Sequence, residues 1–284
     1  MGELFGRDHD LLTLRSALRR AFTGRGGLVL ISGEPGIGKT DLLDHLAYEV
    51  HGLGGRAAWG TCWNGEGTPA LRPWQRVLST FDDNRPDVLG ELRTRAESEG
   101  GDLGQFALFT GVSEYLRSCA RVTPLLVMLD DLQWADAGCL RLLRFVARDL
   151  RGDPILLTGA FRGGALPDGH LLRDLAADSS TLHVQFTGLT DDAVAAMLAD
   201  AAGASPTPAT VARVTERTAG NPFFVREVAH LLATEPASPR LPAAVEDAVA
   251  SASLRSRRPQ PPCWPRPRSS VAASMTTSWR RRTT

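Results

Sequence analysis

Hydrophobic residues fall into two patterns that alternate along most of the chain. Five short apolar or alternating runs predict strands. These runs span 28–32, 56–61, 125–129, 155–161 and 182–186. Between them, apolar residues recur every three or four positions, as on one face of a helix. Examples are Leu11, Leu14 and Leu18, then Leu42, Leu43 and Leu46, then Leu140, Leu143 and Val146. This alternation predicts an α/β fold with a mostly parallel sheet covered by helices.

The chain from residue 190 onwards has helical patterns and no predicted strand. The apolar spacing predicts helices at 193–202, from Pro208 through Arg217, from Pro222 onwards, and at 241–250. A small all-helical region therefore follows the sheet. Residues 82–102 are polar and interrupted by glycine, which predicts a mobile surface excursion.

A glycine-rich stretch, GEPGIGKT at 33–40, joins the first predicted strand to the next helix. Its glycines let successive backbone N–H groups turn toward phosphate oxygens, and the helix N-terminus adds partial positive charge. Lys39, the only lysine of the chain, is expected to reach the β- and γ-phosphates, and Thr40 to bind Mg²⁺. The candidate nucleotide-binding residues here are Gly33, Pro35, Gly36, Ile37, Gly38, Lys39, Thr40 and Asp41. Strand, loop and helix together predict a P-loop that binds ATP or ADP.

Two acidic residues, Asp130 and Asp131, follow the apolar run 125–129. Carboxylates at the end of a buried parallel strand lie where open α/β sheets bind ligands. Beside a P-loop, Asp130 is expected to hold Mg²⁺ and Asp131 to orient or deprotonate the attacking water. Arg162 directly follows the apolar run 155–161, and it either binds the γ-phosphate or is a surface charge. Lys39, Asp131 and Arg162 are thus the candidate catalytic residues.

Composition and charge divide the chain at residue 250. Apolar content of 43% and charged content of 23% are typical of a soluble globular protein. Residues 251–284 contain eight arginines and no acid, so residues 1–250 have 24 basic against 32 acidic side chains, a net of −8. An acidic folded part argues against nucleic-acid binding. We expect a P-loop nucleotide-binding domain at 1–188, a helical lid domain at 189–250 and a disordered basic Pro/Arg-rich tail at 251–284. That tail is either a basic interaction segment or, as the abrupt loss of acids favours, a truncated or out-of-frame end.

Cysteine and histidine usage adds no further site. The four cysteines form no CxxC pair, and the six histidines lack zinc-ligand spacing. No apolar run approaches the length of a membrane span, and the N-terminus does not look like a signal peptide. These features predict a cytoplasmic protein with reduced thiols, no membrane partner and no metal besides nucleotide-bound Mg²⁺.

Several motifs together resemble the ATPase module of the large LuxR-type transcriptional regulators. They are FGRD at 5–8, the P-loop, the 62–74 segment, LLVMLDDLQWAD at 125–136, the strand ending at Arg162, and TAGNPFFVRE at 218–227. These regulators belong to the STAND class of signal-transduction ATPases, which are relatives of AAA+ proteins. The resemblance covers residues 4–250.

The resemblance implies roles that the residues alone do not. It implies that Phe5, Gly6 and Arg7 line the adenine and ribose, although a turn that packs the first helix onto the domain explains Phe5 and Gly6 as well. It further implies that Arg162 senses the γ-phosphate and that Pro222 closes over the base. STAND proteins are switches in which ADP holds the domains closed, and exchange for ATP permits self-association and signalling.

Two departures from the family limit the implied function. Asp131 stands where vigorous P-loop ATPases generally have glutamate, which implies slow hydrolysis. The helix-turn-helix of full-length relatives is not found here, so direct DNA binding is not expected. The leading interpretation is an ATP/ADP-binding regulatory switch linked to transcription. The alternatives are an AAA+-like ATPase that remodels a partner with substantial turnover, and a DNA-binding regulator whose basic tail would bind duplex in a salt-dependent manner.

Overall fold

Five parallel strands form one sheet at the centre of the computed structural model, which describes residues 4–63, 69–81, 87–163, 166, 170–203 and 205–234. The strands are β1 (Gly27–Ser32), β2 (Arg56–Thr61), β3 (Leu125–Asp130), β4 (Ile155–Phe161) and β5 (Thr181–Gln185). Their order is β2-β3-β4-β1-β5, and every pairing is parallel. All five predicted strands are therefore confirmed, with β5 displaced by one residue toward the N-terminus.

Helices precede, connect and follow the strands. They are α1 (Asp8–Phe22), α2 (Lys39–Gly52), α3 (Arg72–Phe81), α4 (Val88–Glu97), α5 (Gly101–Ala120), α6 (Ala137–Asp149), α7 (Leu171–Ala177), α8 (Asp191–Ala202), α9 (Pro208–Thr218) and α10 (Pro222–Thr234). A short 3₁₀ turn, Leu132–Trp134, lies between β3 and α6. The predicted α/β architecture of a P-loop NTPase with a covered parallel sheet is confirmed.

Helices cover the sheet on both faces. Side chains of α1 and α2 share one apolar cluster with Val29 and Ile31 of β1, whereas those of α3, α5 and α6 share another with Leu28 and Leu30. Alternate residues of a strand point to opposite faces, so β1 contributes to both clusters. All six residues of β3 and all seven of β4 are buried, as central parallel strands require.

The predicted surface excursion at 82–102 is wrong for most of its length. Helix α4 lies within it, and α5 begins at Gly101. The Asp87 side chain accepts a hydrogen bond from the Gly90 N–H at 3.1 Å and so caps α4. Val88 and Leu89, at 1% and 2% exposure, pack into the cluster that contains α3 and α5. Leu92 also packs against this cluster, so one face of α4 is buried, although polar residues and glycines surround these apolar positions in the sequence.

The C-terminal helices α8, α9 and α10, here called the lid helices, have an apolar cluster of their own. Its most buried members are Val194, Val214, Val225, Val228 and Ala229. No strand follows β5 within the described part of the chain, as expected. The predicted helix at 241–250 and the tail at 251–284 lie outside the described residues.

None of the helices in the described part of the chain is both long enough and apolar enough to cross a membrane. Cys62, Cys119 and Cys139 are free thiols. Within the same residues, no group of three or more histidine, cysteine or acidic side chains is arranged to hold a metal ion.

An ion pair joins α1 to α2 on the surface. The Arg15 Nε donates to both carboxylate oxygens of Glu49 at 2.9 Å, and His45 Nε2 lies 3.0 Å from the same carboxylate. The hydrogen bond from Arg15 is the main cause that lowers the pKa of Glu49. Because α2 begins at the P-loop, this pair helps to fix the helix that follows the loop.

We predict that Glu49→Gln lowers the free energy of unfolding by about 0.5–1 kcal/mol at pH 7. The pKa of Glu49 is lower in the folded than in the unfolded state, so the stabilisation is present above the unfolded value and is lost as the pH falls from there through the folded value. Urea denaturation between pH 7 and about pH 3 measures the difference, with Glu99→Gln at an exposed site as control. A difference that stays constant over this range would contradict the assignment.

Candidate functional site

The loop between β1 and α2 has the backbone geometry of a phosphate-binding turn. Gly36 and Gly38 have φ angles of +76° and +96°, which glycine adopts at little cost. Ile37 is 3% exposed and anchors the loop in the cluster below it. The loop leads directly into the N-terminus of α2, where unpaired N–H groups and the helix dipole favour an anion.

Lys39 lies in a partly buried position against the loop. Its Nζ donates to the carbonyl oxygens of Gly33 and Glu34, both at 2.9 Å. Burial lowers its pKa to about 8; Asp130 opposes this decrease and Arg162 adds to it. Lys39 thus lies within electrostatic range of both Asp130 and Arg162.

Thr40 and Asp130 meet where α2 faces the end of β3. The Thr40 Oγ1 donates to Asp130 Oδ2 at 3.1 Å, and the Asp131 N–H donates to Asp130 Oδ1 at 2.8 Å. Burial, with the charge of Asp131 next in size, raises the pKa of Asp130 to about 6. A hydroxyl and a carboxylate are hard oxygen ligands that suit Mg²⁺, which usually takes its other ligands from water and phosphate. These two side chains therefore fit the ion that the sequence predicts.

Asp131 and Arg162 follow two paired strands, β3 and β4. Asp131 has a left-handed backbone, with φ +56° and ψ +39°. The Arg162 guanidinium lies over the Trp134 ring, 5.0 Å from its centroid. Between them, Gln133 Nε2 donates to Asp131 Oδ1 at 2.8 Å, and Gln133 Oε1 accepts from the Arg162 N–H at 3.1 Å. The two candidate catalytic residues are therefore linked through one amide.

Arg7 connects the P-loop to the segment that follows β5. Its Nη2 donates to the carbonyl oxygens of Ile37 and Thr187, both at 2.9 Å, and its guanidinium lies 4.9 Å from the Phe186 ring centroid. Burial lowers the pKa of Arg7, and the ion pair with Asp10 opposes this shift. The residues beside it face the lid helices: Phe5 packs against their cluster, and a Cβ on Gly6 would meet Ala193.

The lid helices contact the P-loop through Asn221 and Phe223. The Asn221 Nδ2 donates to the Pro35 carbonyl oxygen at 2.9 Å, while its Oδ1 accepts from the Phe223 N–H at 3.1 Å. A Cβ on Gly36 would lie 2.8 Å from the Phe223 Cβ, so only glycine permits this approach. Pro222, the first residue of α10, is consequently held next to the loop.

The predicted site residues thus form two groups. Lys39, Thr40, Asp130, Asp131 and Arg162 come together at the carboxyl edge of the sheet, whereas Phe5, Gly6, Arg7 and Pro222 lie on the lid side of the loop. Asp41 is exposed in the first turn of α2. Sequence reasoning did not single out Gln133 or Asn221, although both stand inside motifs used for the family resemblance.

The parallel sheet, the glycine-rich loop after β1 and the acidic end of β3 define a P-loop NTPase. A family model described as "AAA ATPase domain" matches residues 3–158, which is more than half of the 284-residue chain. The chain belongs to this family of ATPase domains. Membership of this family implies that the chain binds a nucleotide.

Solved structures of low sequence identity share the fold. A STAND protein of Pyrococcus horikoshii with a tetratricopeptide repeat sensor is 16% identical, with a TM-score of 0.54 over 88% of this chain and 33% of that one. A Walker-type ATPase of Pyrococcus abyssi is 13% identical, with a TM-score of 0.59 over 89% of this chain and 73% of that one. The chain therefore spans a third of the length of the STAND protein. No curated protein matches it significantly.

We predict that Lys39→Ala weakens ADP binding on the order of 100-fold, because charge-assisted hydrogen bonds to phosphate contribute about 1.5–3 kcal/mol each. Titration of a fluorescent ADP analogue measures the Kd. Arg19→Ala, which removes one cation from an exposed site on α1, is the matched control. If the lysine variant bound ADP as tightly as the wild type, the assignment of this loop as the phosphate-binding site would be contradicted.

Proposed function

We propose that this chain is an ATP- and ADP-binding regulatory switch with slow Mg²⁺-dependent hydrolysis. The observation that carries the proposal is the direct contact between the lid helices and the P-loop, through Asn221 to Pro35 and Phe223 to Gly36. A loop that holds phosphate on one side and a helical lid on the other couples ligand occupancy to lid position. Such coupling is what a nucleotide switch requires.

Arg7 adds a second connection between the same parts. Its guanidinium hydrogen-bonds to Ile37 in the loop and to Thr187, just before the lid helices. If a nucleotide displaces the loop backbone, these bonds and the Asn221 bond must adjust together. A ligand shifts such an equilibrium only by its difference in affinity for the two arrangements, so we expect ADP and ATP to differ in the contacts they permit.

Slow hydrolysis follows from the side chains at the carboxyl edge. Thr40 and Asp130 would hold Mg²⁺, which neutralises charge on the phosphates. Lys39 binds the β- and γ-phosphates, Arg162 contacts the γ-phosphate, and Asp131 orients the attacking water. The aspartate side chain is one methylene shorter than glutamate, which favours low turnover.

The biological setting is also part of the proposal. The motif resemblance to the large LuxR-type regulators and the shared fold with a STAND protein support a signal-transduction ATPase linked to transcription. We propose that the protein is cytoplasmic and that it associates with itself in the ATP state. We further propose three regions, which are a nucleotide-binding domain at 1–188, a lid domain at 189–250 and a basic tail at 251–284.

The nucleotide content and ATP turnover of the purified chain test this function. ADP retained through purification, with turnover far below the enzyme median of about 10 per second, supports the switch. An empty site with fast turnover would contradict it and favour an AAA+-like ATPase that remodels a partner.

We predict that Asp131→Asn retains nucleotide affinity within about twofold but lowers hydrolysis about 100-fold or more, because the amide cannot accept a proton from water. Single-turnover hydrolysis of radiolabelled ATP measures the rate. The control is Asp102→Asn, at an exposed position in α5. A variant as fast as the wild type would assign the water-orienting role to another residue.

We predict that Asn221→Asp releases ADP about tenfold faster, since the carboxylate keeps the acceptor for Phe223 but cannot donate to Pro35. Displacement of a fluorescent ADP analogue by excess ADP measures the rate. Gln105→Glu, the same amide-to-carboxylate change at an exposed site on α5, is the control. An unchanged release rate would show that this contact does not hold the lid.

A further inference from the structure

The turn after β3 holds Asp131 in a left-handed backbone conformation, with φ +56°. This conformation is uncommon for residues other than glycine, and aspartate adopts it more readily than most. The turn is closed by hydrogen bonds from the Trp134 N–H to the Asp131 carbonyl at 2.9 Å and from the Ala135 N–H to the Leu132 carbonyl at 3.1 Å. Leu132 is fully buried against Gly159 of β4. The turn is therefore anchored to the strand that ends before Arg162.

The Gln133 amide makes one hydrogen bond to each of the two candidate catalytic residues. Its partners fix which way it points, because a backbone N–H can only donate and an ionised carboxylate can only accept. Hence Oε1 faces the Arg162 N–H at 3.1 Å and Nε2 faces Asp131 Oδ1 at 2.8 Å. An apolar side chain makes neither bond, and a glutamate accepts from Arg162 but repels Asp131.

We propose that Gln133 is a positioning residue that sets the Asp131 carboxylate and the Arg162 backbone as one unit for ATP hydrolysis. Gln133 donates to one carboxylate oxygen of Asp131, Oδ1. The other oxygen, Oδ2, has no donor among the described residues, and its position is fixed once Oδ1 is held because the carboxylate is planar. Trp134, the next residue, holds the Arg162 guanidinium. The same short turn therefore supports both the water-orienting acid and the γ-phosphate-sensing arginine. This inference rests on the hydrolysis proposed above.

Gln133→Met tests the role of the amide at nearly constant side-chain length. We expect kcat to fall about 10- to 100-fold, a loss of the size seen when the hydrogen-bond partner that orients a metal ligand is removed. The KM and the Kd for ATP should stay unchanged within about twofold. Gln133→Glu should lose as much or more, although it retains the acceptor for Arg162. Gln75→Met is the matched control, since Gln75 also donates to an aspartate, Asp87 at 3.3 Å, on the exposed side of α3.

Coupling to Asp131 separates positioning from a general structural effect. In single-turnover hydrolysis, Asp131→Asn should reduce the rate less in the Gln133→Met background than in the wild type, because the acid is already misplaced. Additive losses, a change in KM without a change in kcat, or an undiminished rate in Gln133→Met would each overturn the inference. Urea denaturation of each variant identifies a loss that comes from unfolding.

The same measurements distinguish this inference from the function on which it rests. Absence of hydrolysis in the wild-type chain would overturn both the proposed hydrolysis and the role of Gln133. Measurable wild-type hydrolysis that Gln133→Met leaves intact would overturn the role of Gln133 alone.

Discussion

The candidate site depends on the parallel pairing of β4 with β1 on one side and with β3 on the other. The three strands are far apart in sequence, yet parallel pairing brings their carboxyl ends to one edge. Lys39 follows β1, Asp130 ends β3 and Arg162 follows β4, so that Lys39 lies within electrostatic range of the other two. Because β3 and β4 are buried throughout, a substitution in either strand that shifts its register would separate the acids from the arginine.

A second constraint is that the side-chain hydrogen bonds from Arg7 and Asn221 to the P-loop both end on backbone carbonyls of the loop. Arg7 binds the Ile37 carbonyl and Asn221 binds the Pro35 carbonyl. These hydrogen bonds depend on the position of the loop backbone and do not depend on which side chains the loop carries. A shift of the loop backbone would therefore change both bonds, and it would also change the close packing of Phe223 that Gly36 permits.

The sequence predicted the sheet well because buried parallel strands are continuous apolar runs with clear ends. It failed at α4, where Val88, Leu89 and Leu92 pack into the core but polar residues and glycines surround them in the sequence, so that the stretch resembles a loop. The contacts of Arg7, Gln133 and Asn221 could not be predicted either, since each joins segments whose proximity is known only from the tertiary structure; for Arg7 and Thr187 the separation is 180 residues. A nucleotide contact for Phe5, Gly6, Arg7 and Pro222 stays a prediction from family resemblance.

The electrostatics of the site favour joint binding of phosphate and a cation. Burial lowers the pKa of Lys39 to about 8 and raises that of Asp130 to about 6, so both charged forms are less stable here than in water. Phosphate stabilises the ammonium, and a divalent cation stabilises the carboxylate. The attraction between Lys39 and Asp130 offsets the effect of burial only in part. Thr40, the residue after Lys39, donates a hydrogen bond to Asp130, so the ammonium and the carboxylate lie close enough for one ligand to contact both. A nucleotide with Mg²⁺ has the charges that such a ligand needs, since its phosphates are negative and its cation is positive.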